Sequence, residues 1–542
     1  MPLNYGRFVG ILAVQNANVN ANRVRTKCRY KNAIKEAARN TDTAFSDALC
    51  DRLCKKDTVR FWKSWHKHFC MKNLQPIGVL NGKYGDNAVR QEFTNHFKRI
   101  FTPNNSLTEN CMKEDKVLKL SCEESAIPFI DIECVQSCVR RLKKNKAAGC
   151  DGIMSEHISY GGKNLHIHLC LLYNSLIRHF FVPHEFCVGL IVPLLKDKHG
   201  DASLVNMYRG ITLSSALSKL FEYIVLELCG ECLESDTLQY GFKKGSGCVD
   251  AVFTFRESVR YFTSRGSKVF CVSLDANKAF DKVLHSGLYL KLLQKGMHVA
   301  FVKLLRYWYS HQVCAVLWNS VVGDTFQVLC GVRQGSVLSP FLFSIYMDDV
   351  IRDLRNSGYG LHIGKDFVGC IIYADDILIL SCSCHGIQRL VDICMDYGKT
   401  WDMCFNAKKT QCITFGGNTP KNLNVMMNGD KLEWSHVMKY LGCYFQVNSC
   451  RIDIKQQIRK FYGNFNNIMS VLGRGRNEMA AVHLVNSYCV PTLTYACENW
   501  NFSSSDYHTV SVLWNNAFRR IFNCCWRERV HLCYNCTVDA FQ

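Results

Sequence analysis

Two adjacent aspartates, Asp375 and Asp376, interrupt the otherwise apolar run IIYADDILIL at residues 371–380. Two unpaired carboxylates in a dry strand are strongly unfavourable, so the chain must bring them either to solvent or to a cation. Side chains alternate across a strand, so the pair cannot share one face of a regular one. A hairpin resolves the conflict: IIY and ILIL become its strands, YADD its bend, and Asp375 stands at an exposed tip. The run VFCVSLDA at 269–276 reads as a second buried strand, rich in Val and free of Pro, with Asp275 near its end. Carboxylates on neighbouring strand ends make the hard oxygen site that Mg2+ prefers, with phosphates supplying its remaining ligands. A solvated turn also accommodates YADD, and four letters alone do not separate the two.

At 542 residues the chain exceeds one compact core. Residues 1–120 are basic and mostly helical in pattern, 121 to about 425 mix short strands with helices, and the remainder returns to helix. Residues 1–100 hold 19 basic and 7 acidic side chains, and so carry +12 of the net charge of +20, as a phosphate-binding flank or a solvated basic face would. Within it RFWKSWHKHF (60–69) interleaves cations and aromatics, which suits either stacking on single-stranded nucleic acid or a helix docking Phe61, Trp62 and Trp65 into a core. SPFLFSIYMDDVIRDL reads as a helix capped by Ser339 with Pro340 in its first turn, and Ile454, Ile458, Phe461, Phe465, Ile468 and Leu472 form one apolar helix face ended by Gly473.

The start of the chain has no secretory pattern and no apolar run reaches 18 residues, so neither export nor a membrane span is expected. The 31 cysteines then read mostly as small buried thiols. Near the C-terminus Cys524, Cys525, His531, Cys533 and Cys536 cluster as zinc ligands do, without a clean four-ligand spacing.

YADD gains weight from its companions. LKKNKAAGCDGI, GLIVPLLKDK, MYRGITLSSALSKLFE, QYGFKKGSGCVDA, LDANKAFDKV, CGVRQGSVLSPFLFSIYMDDV, WDMCFNAKKTQCITFG and YLGCYF occur in order from 142 to 445. This series resembles the reverse transcriptases of non-LTR (LINE-type) retrotransposons. The resemblance implies an α+β fold of the right-hand polymerase type. Residues 1–120 would be a basic helical N-terminal extension, 121–267 fingers, 268–425 palm, and 426–542 a primer-grip hairpin, helical thumb and C-terminal region. It also implies Asp275, Asp375 and Asp376 as catalytic carboxylates holding two Mg2+ ions.

By the same resemblance Lys196 and Arg209 clasp the incoming triphosphate, and Phe280 excludes a ribose 2′-hydroxyl. Gln334 and Gly335 lie against the nucleotide, and Lys409 helps neutralise pyrophosphate. Where the family usually has Arg-Pro-Ile this chain reads Arg209-Gly210-Ile211, which loosens the backbone beside a phosphate ligand. The expected activity is RNA-directed DNA polymerisation, extending a primer 3′-hydroxyl with dNTPs on an RNA template. The expected setting is an intracellular ribonucleoprotein in nucleus or cytoplasm, engaging a DNA primer or target. Nothing in the first 120 residues resembles the endonuclease such elements carry, so that activity is expected from a separate protein or an absent segment. Two alternatives stay open: an inactive remnant that only binds RNA, and another right-hand polymerase such as an intron-encoded reverse transcriptase.

Overall fold

The computed structural model describes residues 25–32, 36, 43–70, 78–104, 127–197, 200–417, 424–447, 450–474, 477–525 and 527–528. Two compact units divide the chain: Pro76–Ile452, and a second made of Met1–Gln75 with Asp453–Gln542. These limits do not coincide with the segments expected from the sequence.

The larger unit is α+β, and its site rests on strands Val188–Leu195 (β1), Tyr208–Leu213 (β2), Val269–Asn277 (β3), Val313–Trp318 (β4), Val321–Gln327 (β5), Cys370–Tyr373 (β6), Asp376–Ser381 (β7), Cys404–Phe405 (β8) and Gln411–Phe415 (β9). One sheet runs β2-β1-β4-β5, with β1 parallel to β4. The other runs β6-β7-β3, and β8 and β9 both pair with the far edge of β3. Segment 268–425 thus supplies strands to both sheets.

The central strand β3 is buried continuously from Val269 to Val272, as its unbroken apolar run requires when helices cover a sheet. Helices Cys248–Thr263 and Cys384–Thr400 pack on this sheet. The second of them is capped by Ser383, whose hydroxyl accepts from the Gly386 N–H. Against the other sheet lies helix Asp86–Ile100, which buries Val89, Phe93 and Phe97 with Ile191, Tyr208 and Val316. Gly210, on β2, sits beneath that helix. A Cβ there would lie 2.7 Å from Phe97 Cε1 and 2.9 Å from Ile191 Cγ2. The glycine therefore serves close packing, which corrects the expectation that it loosens the backbone.

Helix Ser339–Asn356 forms as expected with Pro340 in its first turn, but Ser339 is already inside it and gives no side-chain cap. The work falls instead to the buried Glu222, whose Oε2 accepts from Ser336 Oγ at 2.7 Å and from the N–H groups of Val337 and Leu338 at 2.5 and 3.3 Å. A carboxylate suits the positive end of a helix.

In the smaller unit, helix Lys455–Leu472 buries Phe461, Phe465, Ile468 and Leu472 and ends at Gly473, φ +78. Phe61 and Trp65 of helix Thr58–Cys70 enter the same core. Burial withdraws both rings from any nucleic acid, while Lys63 and Lys67 stay exposed. Among the described residues the cysteines are free thiols, and Cys271, Cys370, Cys394 and Cys412 are core residues.

Candidate active site

Tyr373 pairs with Asp376, leaving Ala374 and Asp375 as a two-residue turn between β6 and β7. Ala374 takes φ +57, a left-handed conformation that a residue with a Cβ keeps only when its surroundings impose it. Gln239 imposes it. This fully buried side chain accepts from the Ala374 N–H and from the Gly241 N–H, both at 2.9 Å. A Cβ on Gly241 would lie 2.5 Å from the Ala374 nitrogen, so glycine permits the approach.

Across the sheet, Asp376 of β7 stands directly opposite Asp275 of β3. Directly opposed residues of an antiparallel pair project from the same face. Asp375, in the turn, is half-buried rather than exposed. Burial raises its carboxyl above the ordinary range and the Asp275 charge adds to this, with Arg209 pulling the other way. Asp376 is pushed up to about 6, first by loss of solvation and then by Asp375 and Asp275. Carboxyls raised by neighbouring carboxylate charge gain from a nearby cation. Lys409 Nζ lies 3.5 Å from Asp275 Oδ2.

The donors are carboxylate oxygens, which suit a hard ion such as Mg2+. As placed, they gather without closing: among the described residues no three His, Cys, Asp or Glu side chains form a metal-holding group. Cys524 and Cys525 are among those residues, while His531, Cys533 and Cys536 lie outside the described residues, so the zinc expectation has no support.

A cavity of about 490 Å3 opens beside the aspartates. Lys196, Arg209, Phe280, Gln334, Gly335 and Lys409 all line it, together with Asp275 and Asp375. Asp376 is not among its lining residues and reaches the group through its pairing with Asp275. Lys196 follows β1, donates to the Asn206 carbonyl at 2.9 Å, and has its pKa lowered by burial and by Arg209 and Lys409. A lysine lowered by its cationic neighbours favours an anion beside it. Gly335 has φ +113, and a Cβ there would crowd the Thr212 carbonyl at 3.0 Å. The preceding Gln334 carbonyl accepts from the Thr212 N–H at 2.8 Å, which ties this loop to β2.

Sequence reasoning missed three residues here. Asp281 lines the cavity, accepts from Gln334 Nε2 at 2.8 Å, and is pushed up to about 6 by burial. Its place one residue after Phe280 in LDANKAFDKV was the available signal. Phe242, which lines the cavity, and the buried Gln239 belong to QYGF, where only their contacts reveal their use. Arg333, by contrast, lines the cavity but spends its guanidinium on the Phe186 and Cys187 carbonyls at 2.9 and 2.5 Å, a structural role.

Residues 196–445 match the profile of the family described as reverse transcriptase (RNA-dependent DNA polymerase). This span of the chain is similar to a reverse transcriptase domain. The matched span contains both strand ends bearing the aspartates and every cavity residue singled out above. Similarity to non-LTR retrotransposon polymerases extends over most of the chain. It is 25% identical over 484 residues to the probable RNA-directed DNA polymerase from transposon BS of Drosophila melanogaster, covering 84% of this chain and 52% of that protein. It is 25% identical over 505 residues to the probable RNA-directed DNA polymerase from transposon X-element of the same species, covering 87% and 53%. The chain spans about half the length of these relatives. The chain is also similar to the telomerase of Candida tropicalis, truncated from its C-terminal domain, at 12% identity and a TM-score of 0.38 over 66% of this chain and 86% of that one. Among the described residues no helix is long and apolar enough to cross a membrane.

Proposed function

We propose that this chain is the RNA-directed DNA polymerase portion of a LINE-type element, extending a primer 3′-hydroxyl with dNTPs on an RNA template. The observation that carries the reading is the register of Asp376 on Asp275, with Asp375 in the adjoining turn, beside a cavity rimmed by Lys196, Arg209 and Lys409. A cavity with carboxylates at one end and cations around it suits a triphosphate joined to divalent metal.

In this reading β3 and β6–β9 belong to the palm, β1, β2, β4 and β5 to the fingers, and helix Lys455–Leu472 to the thumb. Asp275 and Asp375 would hold two Mg2+ ions with Asp376 beside them. When bound, such a pair lowers the pKa of an attacking hydroxyl and neutralises charge on the leaving pyrophosphate. Lys196 and Arg209 bind the triphosphate, Arg through paired hydrogen bonds and Lys as a point charge. Phe280 bars a ribose 2′-hydroxyl, and Gln334, held by Asp281, orients the base pair. No side chain acts as nucleophile, so positioning and charge neutralisation supply the rate. We place the protein inside the cell as a ribonucleoprotein, with target nicking supplied by an endonuclease.

Primer extension on a primed RNA template with Mg2+ and dNTPs tests the proposal. The wild-type chain should extend, and Asp375→Ala should lose roughly a thousandfold, the scale of several kcal/mol of metal-borne charge stabilisation. Equal failure of both proteins, with RNA binding intact, would leave only an RNA-binding role.

A further inference from the structure

QYGF at 239–242 supports the Ala374 turn through Gln239. Residues 238–240 run along the aspartate hairpin: the Tyr240 N–H donates to the Ile372 carbonyl at 2.8 Å, and the Ile372 N–H donates to the Leu238 carbonyl at 2.9 Å. Gln239 and Gly241 then clasp Ala374. The chain emerges at Phe242 in a fixed relation to Asp375.

Phe242 is unusual in two ways. It holds φ +60, a region that disfavours a residue with a bulky side chain. Its side chain also fills no core, since it is 42% exposed and lines the nucleotide cavity. The ring spends its contact on Phe280, edge to face, with centroids 5.9 Å apart and planes at 89°. Phe280 lies flat on Phe343 on another side, 4.2 Å between centroids at 18°. Phe343 is wholly buried and fixes the depth of the Phe280 ring. Phe242 meets the same ring with an edge-to-face contact.

We propose that Phe242 is a positioning residue for sugar discrimination, holding Phe280 against a ribose 2′-hydroxyl from a backbone anchored on the catalytic turn. The inference rests on the polymerase reading and on Phe280 as the excluding ring. Without Phe242 the Phe280 ring can turn about its side-chain bonds, and the space above the sugar opens. The strained backbone has an account in these terms: it aims an aromatic edge that a relaxed conformation would send elsewhere.

The test uses the full chain on a primed RNA template, comparing kcat/KM for a dNTP and the matching rNTP in wild type, Phe242→Ala, Phe242→Tyr and Phe280→Ala. Phe280→Ala should lose most of the preference for deoxynucleotides. Phe242→Ala should lose roughly three- to tenfold of it, the scale of one edge-to-face ring contact, read as a lower KM for the ribonucleotide. Phe242→Tyr, which keeps the ring, should retain the wild-type preference. Urea midpoints of the variants separate this effect from unfolding. A wild-type preference in Phe242→Ala beside a lost one in Phe280→Ala overturns the proposal. A preference retained in Phe280→Ala overturns it at its premise, and absence of all incorporation in wild type instead overturns the polymerase reading.

Discussion

At the scale of residues, the aspartate cluster depends on one neutral side chain. Gln239 gives its oxygen to two buried N–H groups at the Ala374 turn. Gln239→Leu leaves both without an acceptor, at a cost of about 1–3 kcal/mol each. The variant should lower the urea midpoint and slow nucleotide addition, whereas Gln239→Glu, which keeps an acceptor oxygen, should recover much of both. His285 makes a prediction about pH. Burial holds its imidazole down at about 4 from an ordinary 6.5, although the hydrogen bond to the Gly331 carbonyl opposes this. As pH falls from 6.5 the unfolded chain takes up the proton first, so the stability tied to neutral His285 is full above 6.5 and drains away towards 4. Stability measured across that window should fall less steeply in His285→Gln. The aspartates were legible in sequence because charge inside an apolar run demands a reason. Gln239 was not, because a glutamine in a loop has meaning only once its burial and partners are known.

Among elements, the hairpin was the most legible, since a period-two side-chain pattern cannot otherwise place Asp375 and Asp376. Its pairing to β3 followed from two apolar runs ending in acid, and the register of Asp376 on Asp275 is the detail that only the fold supplies. Helix Ser339–Asn356 was recognised from Pro340, yet its N-terminus is served by Glu222, 117 positions before Ser339 in sequence and invisible to any local rule. Gly210 teaches the same lesson. Its neighbour Phe97 comes from a helix far upstream, and the pair meet closely enough that one added methyl strains both. Gly210→Ala should cost about 1–3 kcal/mol in urea unfolding. Combining it with Phe97→Leu should recover part of that loss, and strict additivity of the two costs would contradict the packing account.

For the whole molecule, local pattern gave the zones but not their partners. By pattern the N-terminal flank and the last helices read as separate regions, whereas Phe61 and Trp65 share one core with Phe461 and Phe465. Such contacts join chain segments hundreds of residues apart, which periodicity cannot register. The candidate site has the same character. Arg209 comes from one sheet, with Lys196 just beyond its strand β1, while Asp275 and Asp376 come from the other, so the cations and the aspartates meet only when the larger unit is fully assembled. Anomalous diffraction from crystals of the chain grown with Mn2+ and a dNTP reads that meeting directly. The account predicts scattering peaks against Asp275 and Asp375, with the triphosphate running towards Lys196 and Arg209. Nucleotide bound elsewhere, or bound in this cavity with no ion touching either aspartate, would contradict it.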